Sequence, residues 1–462
     1  MMARMKRLVV IGGGAAGLTA AVAAARAADG GALEVVVLEA DERAGRSILA
    51  TGNGRCNFSN ARIDAGAYRN AGFVAEALGE LRARGERRAR AGSGPASASP
   101  AAAHADGGDD DPVRGFFADV GLAWREEAEG RLYPAANKAS SVLDVLRAAA
   151  ADVGVRTLCN RRVVRIDAPS RAGERLHLRC ADGAVEHADA VVVTVGGRGI
   201  DALELPCGLE KLPTEPTLGP LRTENALTKR LNNLRVRCTA TLEDAQGRCK
   251  ARERGEVLFR DYGVSGIAVF NLSRFARPGD AVCLNLLGGA SLAEARELLS
   301  VRRARLARVA HELTCERLLC GLVLPQLAEE LARCAGLRPS DRATDAGVEA
   351  LAGVLVRLPL AVRGAGDARQ CQVRRGGLAV EGFESRSLQA RSLPGLYAAG
   401  EALDVDGPCG GYNLHWAWAS GLLAGESAAR LLLHGGAGRR RPGRGGAHAG
   451  GDSHAGEGGA DA

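Results

Sequence analysis

The sequence predicts an α/β fold in which a Rossmann-type nucleotide-binding domain, written in two sequence pieces, is interrupted by an inserted β-plus-helix module. Three observations lead to this prediction. The chain begins with a βαβ pattern that carries a glycine-rich turn. Short β-like runs across 233–290 are followed by a Leu-, Arg- and Glu-rich helical stretch across 291–356. Residues 395–433 then return to strand, glycine-rich turn and long helix.

The first elements follow from local pattern. Residues 8–11 form a continuous apolar run, which is typical of a buried parallel strand, and the alanine-rich stretch 15–28 has high helix propensity. A second strand is expected at 34–39. Beyond it, apolar residues on one face predict a helix over 138–152. Strand-like segments are then expected at 161–166, 175–180 and 190–195.

The composition excludes several protein classes. With 462 residues, 46% hydrophobic and 25% charged, the chain is long enough for two or three domains with a sizeable core. No uncharged apolar run has the length of a membrane span, and the first apolar run continues into a nucleotide-binding motif rather than a signal cleavage site. The 12 cysteines are irregularly spaced without Cys-x-x-Cys. We therefore expect no metal site, no dithiol centre and a cytoplasmic location.

Two stretches have low complexity. Residues 83–112 are interpreted as a disordered surface-loop insertion, and residues 434–462 as a disordered tail, because neither offers enough apolar side chains to offset the entropy of ordering. The formal charge of +7 is spread over the rest of the chain. A diffuse positive charge suits an anionic cofactor and points only weakly to nucleic acid.

The βαβ start carries a dinucleotide fingerprint. Its first glycine allows the tight turn, its second allows a pyrophosphate to approach the backbone, and its third allows helix and strand to pack closely. The helix N-terminus offers free N–H groups to phosphates, and a carboxylate ends the second strand, where it can accept from ribose hydroxyls. The predicted contacts are Gly12, Gly14, Ala15, Ala16, Gly17 and Glu39. An acidic residue at this place favours FAD or NAD over NADP.

The next segment, 45–57, is dense in Gly, Asn and Arg. Backbone amides, guanidinium groups and carboxamides in one short loop suit a pyrophosphate and a flavin edge. An Asn/Gly turn with exposed arginines explains the same letters equally well. The candidate cofactor contacts in this loop are Arg46, Asn53, Gly54, Cys56 and Asn57.

Several motifs, taken in order, resemble a known family. They are the fingerprint, 45–57, 130–134 with 138–140, 255–259 with 262–266, and 395–425. Together they resemble the FAD-dependent oxidoreductase family that includes aminoacetone-oxidase-like proteins and the bile-acid enone reductase. The resemblance implies FAD as cofactor, and an insert domain built from a small β-barrel and a helical lobe. The expected boundaries are 1–197 and 374–433 for the FAD domain, 198–373 for the insert domain, and about 291–356 for its helical lobe.

The resemblance also implies further cofactor contacts. Glu401, after the strand ending at 398–399, occupies the place of an acidic residue that binds the ribityl chain. The helix that begins near Gly411 should point its N-terminus at the flavin pyrimidine edge, where a positive dipole end stabilises the reduced, anionic flavin. Tyr412 and Asn413 are expected to face the cofactor. The other implied contacts are Val163, Thr194, Gly196, Gly197 and Gly400.

The sequence departs from the family pattern after Gly197. A serine- and glycine-containing loop and a short helix are expected there, but the chain reaches its Pro-rich turn early, as if about a dozen residues were absent. Ser47 stands where a lysine is common, and Ile267 where a proline is common. These differences weaken an inference about the substrate and leave the inference of FAD intact.

The residues that would carry the chemistry are few, because the flavin itself transfers hydride. His415, Tyr262 and Ser265 are weak candidates, and each is explained as well by a structural role. We predict an FAD-dependent oxidoreductase that passes hydride between NADH or NADPH and a small organic, enone-type substrate. A peroxide-forming amine oxidase and an FAD-binding, RNA-associated protein are the alternatives. A small-molecule substrate is expected, a membrane partner is not, and nucleic acid is not favoured.

Overall fold

A computed structural model describes residues 4–28, 32–91, 111–171 and 174–434. The strands are Lys6–Ile11 (β1), Leu33–Leu38 (β2), Ser59–Asn60 (β3), Trp124–Glu127 (β4), Arg131–Pro134 (β5), Arg156–Leu158 (β6), Val163–Asp167 (β7), Leu176–Cys180 (β8), Val185–Ala188 (β9), Ala190–Val193 (β10), Lys211–Thr217 (β11), Leu221–Thr223 (β12), Arg235–Glu243 (β13), Cys249–Arg260 (β14), Gly263–Ser265 (β15), Ala281–Asn285 (β16), Leu358–Ala365 (β17), Val373–Leu378 (β18) and Leu396–Ala398 (β19).

The helices lie between and beyond these strands. They are Ala15–Ala27 (α1), Arg46–Leu49 (α2), Ala71–Ala91 (α3), Pro112–Asp119 (α4), Ala139–Asp152 (α5), Gly196–Ala202 (α6), Asn225–Arg230 (α7), Ile267–Ser273 (α8), Leu292–Leu306 (α9), Cys315–Leu319 (α10), Pro325–Cys334 (α11), Asp345–Val356 (α12) and Tyr412–His434 (α13).

The central sheet is parallel and has the strand order β19-β10-β1-β2-β6. β1 lies between β2 and β10, with Leu8 opposite both Val35 and Ala190. Because these strands are covered on both faces, they are continuous apolar runs, and Val9 and Val10 are fully buried. β19 comes from the second sequence piece and pairs with β10. The two pieces therefore form one sheet, as predicted.

The first and last helices pack directly on each other. A Cβ on Gly421 would lie 2.4 Å from the carbonyl oxygen of Ala16, and one on Gly425 would lie 2.1 Å from that of Ala20. Only glycine allows this approach. Since the contacts advance in the same direction along both helices, α1 and α13 are parallel. Their N-termini therefore lie at the same edge of the sheet.

The inserted region contains a closed six-stranded barrel in the order β12-β15-β14-β13-β16-β17. Its interior is filled by large apolar side chains, among them Leu242, Val257 and Phe259, all fully buried. Along β14, Val257 and Phe259 are buried inside the barrel, whereas Arg254 and Glu256, at the alternate positions that precede them, are exposed. This alternation has the period of two that a barrel wall requires.

The helical lobe, α9 to α12, follows β16 and shares a core with the barrel. α9 begins with a capping box, in which Ser291 accepts from the Glu294 amide and the Glu294 side chain accepts from the Ser291 amide. Leu299 and Leu351 are fully buried against the barrel residues. A second, separate core surrounds the parallel sheet. The predicted fold class, with a Rossmann-type sheet, a barrel and a helical lobe, is confirmed.

Two local expectations were wrong. Helix α3 continues to Ala91, so the first part of the insertion predicted to be disordered, 83–91, is helical. Its composition misled because Arg84, only 6% exposed, is held in the core by the Ser427 hydroxyl and by backbone carbonyls. The short helix that seemed missing after Gly197 is present as α6. The rest of the predicted insertion, before Asp111, and the predicted tail beyond His434 lie outside the described residues.

Candidate cofactor site

The turn between β1 and α1 is shaped by glycines. Gly12 has a φ of 102°, and a Cβ there would lie 2.7 Å from the Thr194 carbonyl oxygen. A Cβ on Gly17 would lie 1.8 Å from the carbonyl oxygen of Gly12. At Gly14, by contrast, the nearest atom to an added Cβ is the Ser47 hydroxyl, at 3.2 Å. Gly12 and Gly17 thus close the turn, and Gly14 leaves space above it.

Helix α1 begins at this space without a side-chain cap. Gly14 is its N-cap residue, and no side chain accepts from the first amides. Ala15, half-buried, and Ala16, buried, are the first two helical residues. The helix N-terminus therefore presents N–H groups and the positive end of its dipole to the open side of Gly14.

Glu39 lies beside the same turn, at the end of β2. One carboxylate oxygen accepts from the Gly13 amide at 2.7 Å, and the other accepts from the Asp41 amide at 2.8 Å. Nearby, Arg46 opens α2 and forms a 3.4 Å ion pair with Asp41. Glu39 is thus held against the fingerprint, whereas the Arg46 guanidinium points to an exposed carboxylate.

The loop before β3 contains unusual backbone conformations. Asn53, Gly54 and Cys56 have positive φ values of 55°, 81° and 58°. Burial raises the pKa of the Cys56 thiol to about 11, so the group is neutral and packs as a small apolar side chain. Asn57, with its amide oriented to satisfy its neighbours, donates to the Ser59 carbonyl and accepts from the Gly411 amide at 3.1 Å. The loop is thereby tied to the start of α13.

The end of β10 meets the fingerprint from the other side. The Thr194 hydroxyl donates to the carbonyls of Ile11 and Gly12, each at 2.9 Å. Gly196 has a φ of 69° and begins α6. The Gly197 amide donates to the Glu401 carboxylate at 3.4 Å. The structure thus brings β1, β10 and the segment after β19 together at one edge of the sheet.

Glu401 and Gly400 follow β19. Besides the Gly197 amide, Glu401 accepts from the Arg374 amide at 2.6 Å. Burial raises the pKa of the Glu401 carboxyl, and these two amides only partly offset the rise. The Gly400 amide donates to Ser420, and its carbonyl accepts from the Trp416 indole. Both residues connect the sheet edge to α13.

The loop from Gly407 to Gly411 leads into α13. Gly411 has a φ of 100°, and a Cβ there would lie 2.2 Å from the Ser59 carbonyl oxygen. The Asn413 amide closes the loop, since its oxygen accepts from the Gly407 amide and its nitrogen donates to the Gly407 carbonyl. The Tyr412 hydroxyl donates to the Arg62 carbonyl at 3.1 Å. Both side chains thus hold the loop in place.

The three weak catalytic candidates lie in different surroundings. His415 is 2% exposed and shares a 2.9 Å hydrogen bond with the Ser59 hydroxyl through Nδ1. Burial lowers its pKa, although Asp111 opposes the shift. Tyr262 donates to Gln370, and Ser265 is buried in β15. Within the described part of the chain, no hydrogen bond joins any two of the three candidates. Val163, at the start of β7, is 8% exposed.

An ion-pair cluster that the sequence analysis did not predict joins the segment after β19 to the barrel. Asp406, 1% exposed, lies 2.7 Å from Arg274 at the end of α8 and 3.0 Å from Arg375 on β18. Burial alone would raise the pKa of Asp406, but the two guanidinium groups hold it below its ordinary value. Asp404, two residues earlier, accepts from Arg69 at 2.8 Å. Two carboxylates in the segment after β19 were a visible signal in the sequence, but their distant partners were not.

Known proteins resemble this chain along most of its length. A family model described as the HI0933-like protein Rossmann domain matches residues 109–427. The chain belongs to this family. It is an FAD-dependent oxidoreductase.

Two curated relatives extend over nearly the whole chain. One, the 3-dehydro-bile acid delta(4,6)-reductase of Clostridium scindens, is 32% identical over 419 residues, or 87% of this chain and 94% of the relative. The other, the ribosomal RNA dihydrouridine synthase of Escherichia coli, is 27% identical and covers 84% of this chain and 90% of the relative. Among solved structures, a 3-ketosteroid-delta4-(5alpha)-dehydrogenase from Rhodococcus jostii matches with 17% identity, a TM-score of 0.42, and coverage of 93% of this chain and 98% of that one.

The geometry fits an FAD molecule at the sheet edge. A Cβ at Gly14 would approach only the Ser47 hydroxyl and no backbone atom within 4 Å, and α1 begins there without a cap. The parallel helix α13 begins at the same edge. A dinucleotide with a central pyrophosphate matches a site built from a glycine turn and a helix N-terminus. In the part of the chain that the structure describes, no helix is long and apolar enough to cross a membrane.

Proposed function

We propose that this FAD-dependent oxidoreductase reduces a carbon–carbon double bond conjugated to a carbonyl, with NADH or NADPH as the electron donor. The observation that carries the proposal is the 32% identity with a delta(4,6)-reductase along 94% of that relative. The second relative is named for dihydrouridine formation, and both names denote saturation of a ring double bond. The shared chemistry is hydride addition to a conjugated system.

The proposed roles of the site residues follow from their positions. The turn at Gly12, Gly14 and Gly17, with the amides of Ala15 and Ala16, would hold the pyrophosphate. Glu39 would accept from the adenosine ribose, and Val163 would offer its backbone to adenine. Bound FAD supplies the hydride transfer. The remaining proposed contacts are Arg46, Asn53, Gly54, Cys56, Asn57, Thr194, Gly196, Gly197, Gly400, Glu401, Gly411, Tyr412 and Asn413.

Two of these roles depend on backbone rather than side chain. Since Tyr412 and Asn413 use their side chains to hold the loop, we propose that they meet the flavin through the first amides of α13. A helix N-terminus there would stabilise negative charge on the reduced flavin. We further propose that the chain divides into an FAD domain, 1–197 and 374–433, and an insert domain, 198–373.

Anaerobic half-reactions test the proposed function. The oxidised holoprotein is mixed with NADH or NADPH and flavin bleaching is followed. The reduced protein is then mixed with a 3-oxo-4,6-diene steroid, with the saturated steroid as control. We expect bleaching by one nucleotide and reoxidation by the diene alone. The proposal would be replaced by an amine oxidase if no conjugated substrate reoxidised the flavin, an amine bleached it, and the reduced protein released peroxide in air.

The barrel's charge favours a second candidate, a reductase of a base in RNA. Residues 221–290 hold 12 Lys and Arg against 7 Asp and Glu. Arg237, Arg252 and Arg254 are exposed on neighbouring strands, and none forms an ion pair within the described chain. Such a surface attracts phosphates. If RNA is the substrate, replacing these three arginines with glutamine weakens RNA binding in a low-salt gel shift. Unchanged RNA mobility with the wild-type protein would remove this candidate.

A further inference from the structure

One carboxylate on the barrel, that of Glu253, lies near the loop that leads into α13. On β14, exposed residues alternate with inward-facing ones, and Glu253 belongs to the inward set with Val257 and Phe259. Unlike those two, Glu253 forms a hydrogen bond with a polar side chain, that of Asn271 on α8. It is only partly exposed. The strand thus places a carboxyl against α8.

A hydrogen-bond chain connects this carboxyl to the loop before α13. The Asn271 amide nitrogen donates to Glu253 Oε2 at 3.1 Å. The Asn271 amide oxygen accepts from the backbone amide of Cys409 at 2.8 Å. Asn271 is itself buried, at 9% exposure. Glu253 is therefore held at a fixed place opposite the loop that begins the proposed flavin-binding helix.

The charges around Glu253 come from several elements. Arg274, at the end of α8, favours the carboxylate, but its guanidinium already holds Asp406. Glu129, before β5, disfavours it. In the described chain Glu253 forms no ion pair. Burial is the largest influence and raises the pKa of Glu253.

The Cys409 thiol lies next to Glu253. Burial and the Glu253 charge raise its pKa to about 12, against the opposing influence of Arg131 and Arg274. The thiol is therefore neutral at ordinary pH. It therefore adds no negative charge beside Glu253.

We propose that Glu253 is the acid that protonates the substrate. This rests on the proposed function. Bound FAD, when reduced, would supply hydride to the β carbon of the conjugated carbonyl and would be left oxidised. Glu253 would then give its proton to the α carbon, where the electron pair of the double bond would form the new C–H bond. The O–H bond of Glu253 would break, and the carboxylate would regain a proton from water. A carboxyl whose pKa is raised by burial donates a proton at neutral pH more readily than an exposed carboxyl does.

Glu253→Gln tests the assignment, because glutamine can still accept from Asn271. The control is Glu256→Gln on the outer face of the same strand, where Glu256 is exposed and pairs with Arg235. Flavin reduction by the nucleotide should stay unchanged in both variants. Reoxidation by the diene should slow by about 100-fold or more in Glu253→Gln only. Glu253→Asp should recover part of the rate.

The pH profile separates acid catalysis from a structural role. The rate of flavin reoxidation in the wild type should fall as pH rises through the raised pKa of Glu253. In Glu253→Gln the rate should be low at every pH and should not show this fall. Reoxidation of Glu253→Gln at the wild-type rate overturns the assignment. A wild-type flavin that no conjugated substrate reoxidises instead shows that the proposed function has failed, and the assignment fails with it.

Melting of the flavin-free proteins provides a readout without activity. Because the folded state raises the pKa of Glu253, ionisation above that pKa destabilises the fold, and protonation at low pH removes the penalty. Glu253→Gln should therefore melt at a higher temperature than the wild type at about pH 8, and at nearly the same temperature at about pH 4. Equal melting at both pH values would contradict the buried carboxyl.

Discussion

The Rossmann-type half and the barrel half bury different kinds of surface. In the first, α1 and α13 meet through backbone atoms at Gly421 and Gly425. In the second, Phe259 and the aliphatic side chains fill the barrel, and one glycine of the lobe helix α12, Gly353, has open space around it. The junction between the halves relies on neither backbone contact nor apolar filling, since Asp406 and two arginines meet there. Close helix packing, apolar filling and buried charge thus occupy separate places.

Breaking the junction should have the largest effect on folding. Asp406→Ala leaves the buried Arg274 and the half-buried Arg375 without their carboxylate, which should lower the free energy of unfolding by about 3–5 kcal/mol. The control is Glu349→Ala, which removes an exposed pair with Arg296 in the lobe and should cost about 1 kcal/mol or less. Chemical denaturation of both variants measures the difference. Equal costs would show that the junction is not a buried ion pair in solution.

The same junction has a predictable pH dependence. Because the folded state lowers the pKa of Asp406, its stabilising contribution is complete above the ordinary aspartate pKa of about 4 and is lost as pH falls through the lower, folded-state value. The difference in the free energy of unfolding between the wild type and Asp406→Asn should therefore become smaller as the pH falls. A gap that stays constant with pH would argue against this ionisation.

Adding a methyl group to a helix glycine should have an intermediate effect on stability, and the sign of that effect should differ between the two halves. Gly425→Ala places a methyl group against the Ala20 carbonyl and should destabilise the protein by about 1–3 kcal/mol. Gly353→Ala meets no atom within 4 Å and should stabilise it by about 0.5–1 kcal/mol, since alanine is the better helix former. Melting temperatures that move in the same direction would contradict the tight contact between α1 and α13.

A substitution in the fingerprint should have the smallest effect on folding, but it should abolish binding of the cofactor. Gly14→Glu places a side chain in the open space where the pyrophosphate would lie, so the flavin spectrum should be lost. The melting of the flavin-free protein should change by about 0.5 kcal/mol or less. The contrasting variant is Gly17→Ala, whose Cβ would overlap the Gly12 carbonyl and should disrupt the turn itself. Normal flavin content in Gly14→Glu would place the cofactor elsewhere.

Local patterns explain why much of the fold was predictable. The apolar run of β1, the alanine-rich α1 and the glycines between them are neighbours in the chain, and each constrains its own backbone. The barrel, the lobe and the family came from the order of several motifs. The end of α3 was missed, because Arg84 is ordered not only by Glu80 one turn earlier but also by Ser427, which is distant in the sequence.

By itself, the sequence determined the βαβ start, the helical lobe, the long last helix and the family's cofactor, since these depend on periodicity, glycine conformation and motif order. Only the tertiary structure decided that Asp406 pairs with Arg274, that Asn271 links Glu253 to Cys409, and that His415 is buried against Ser59. Such contacts join residues far apart in the chain. Their energy depends on burial and distance, and neither quantity exists until the two halves have folded against each other.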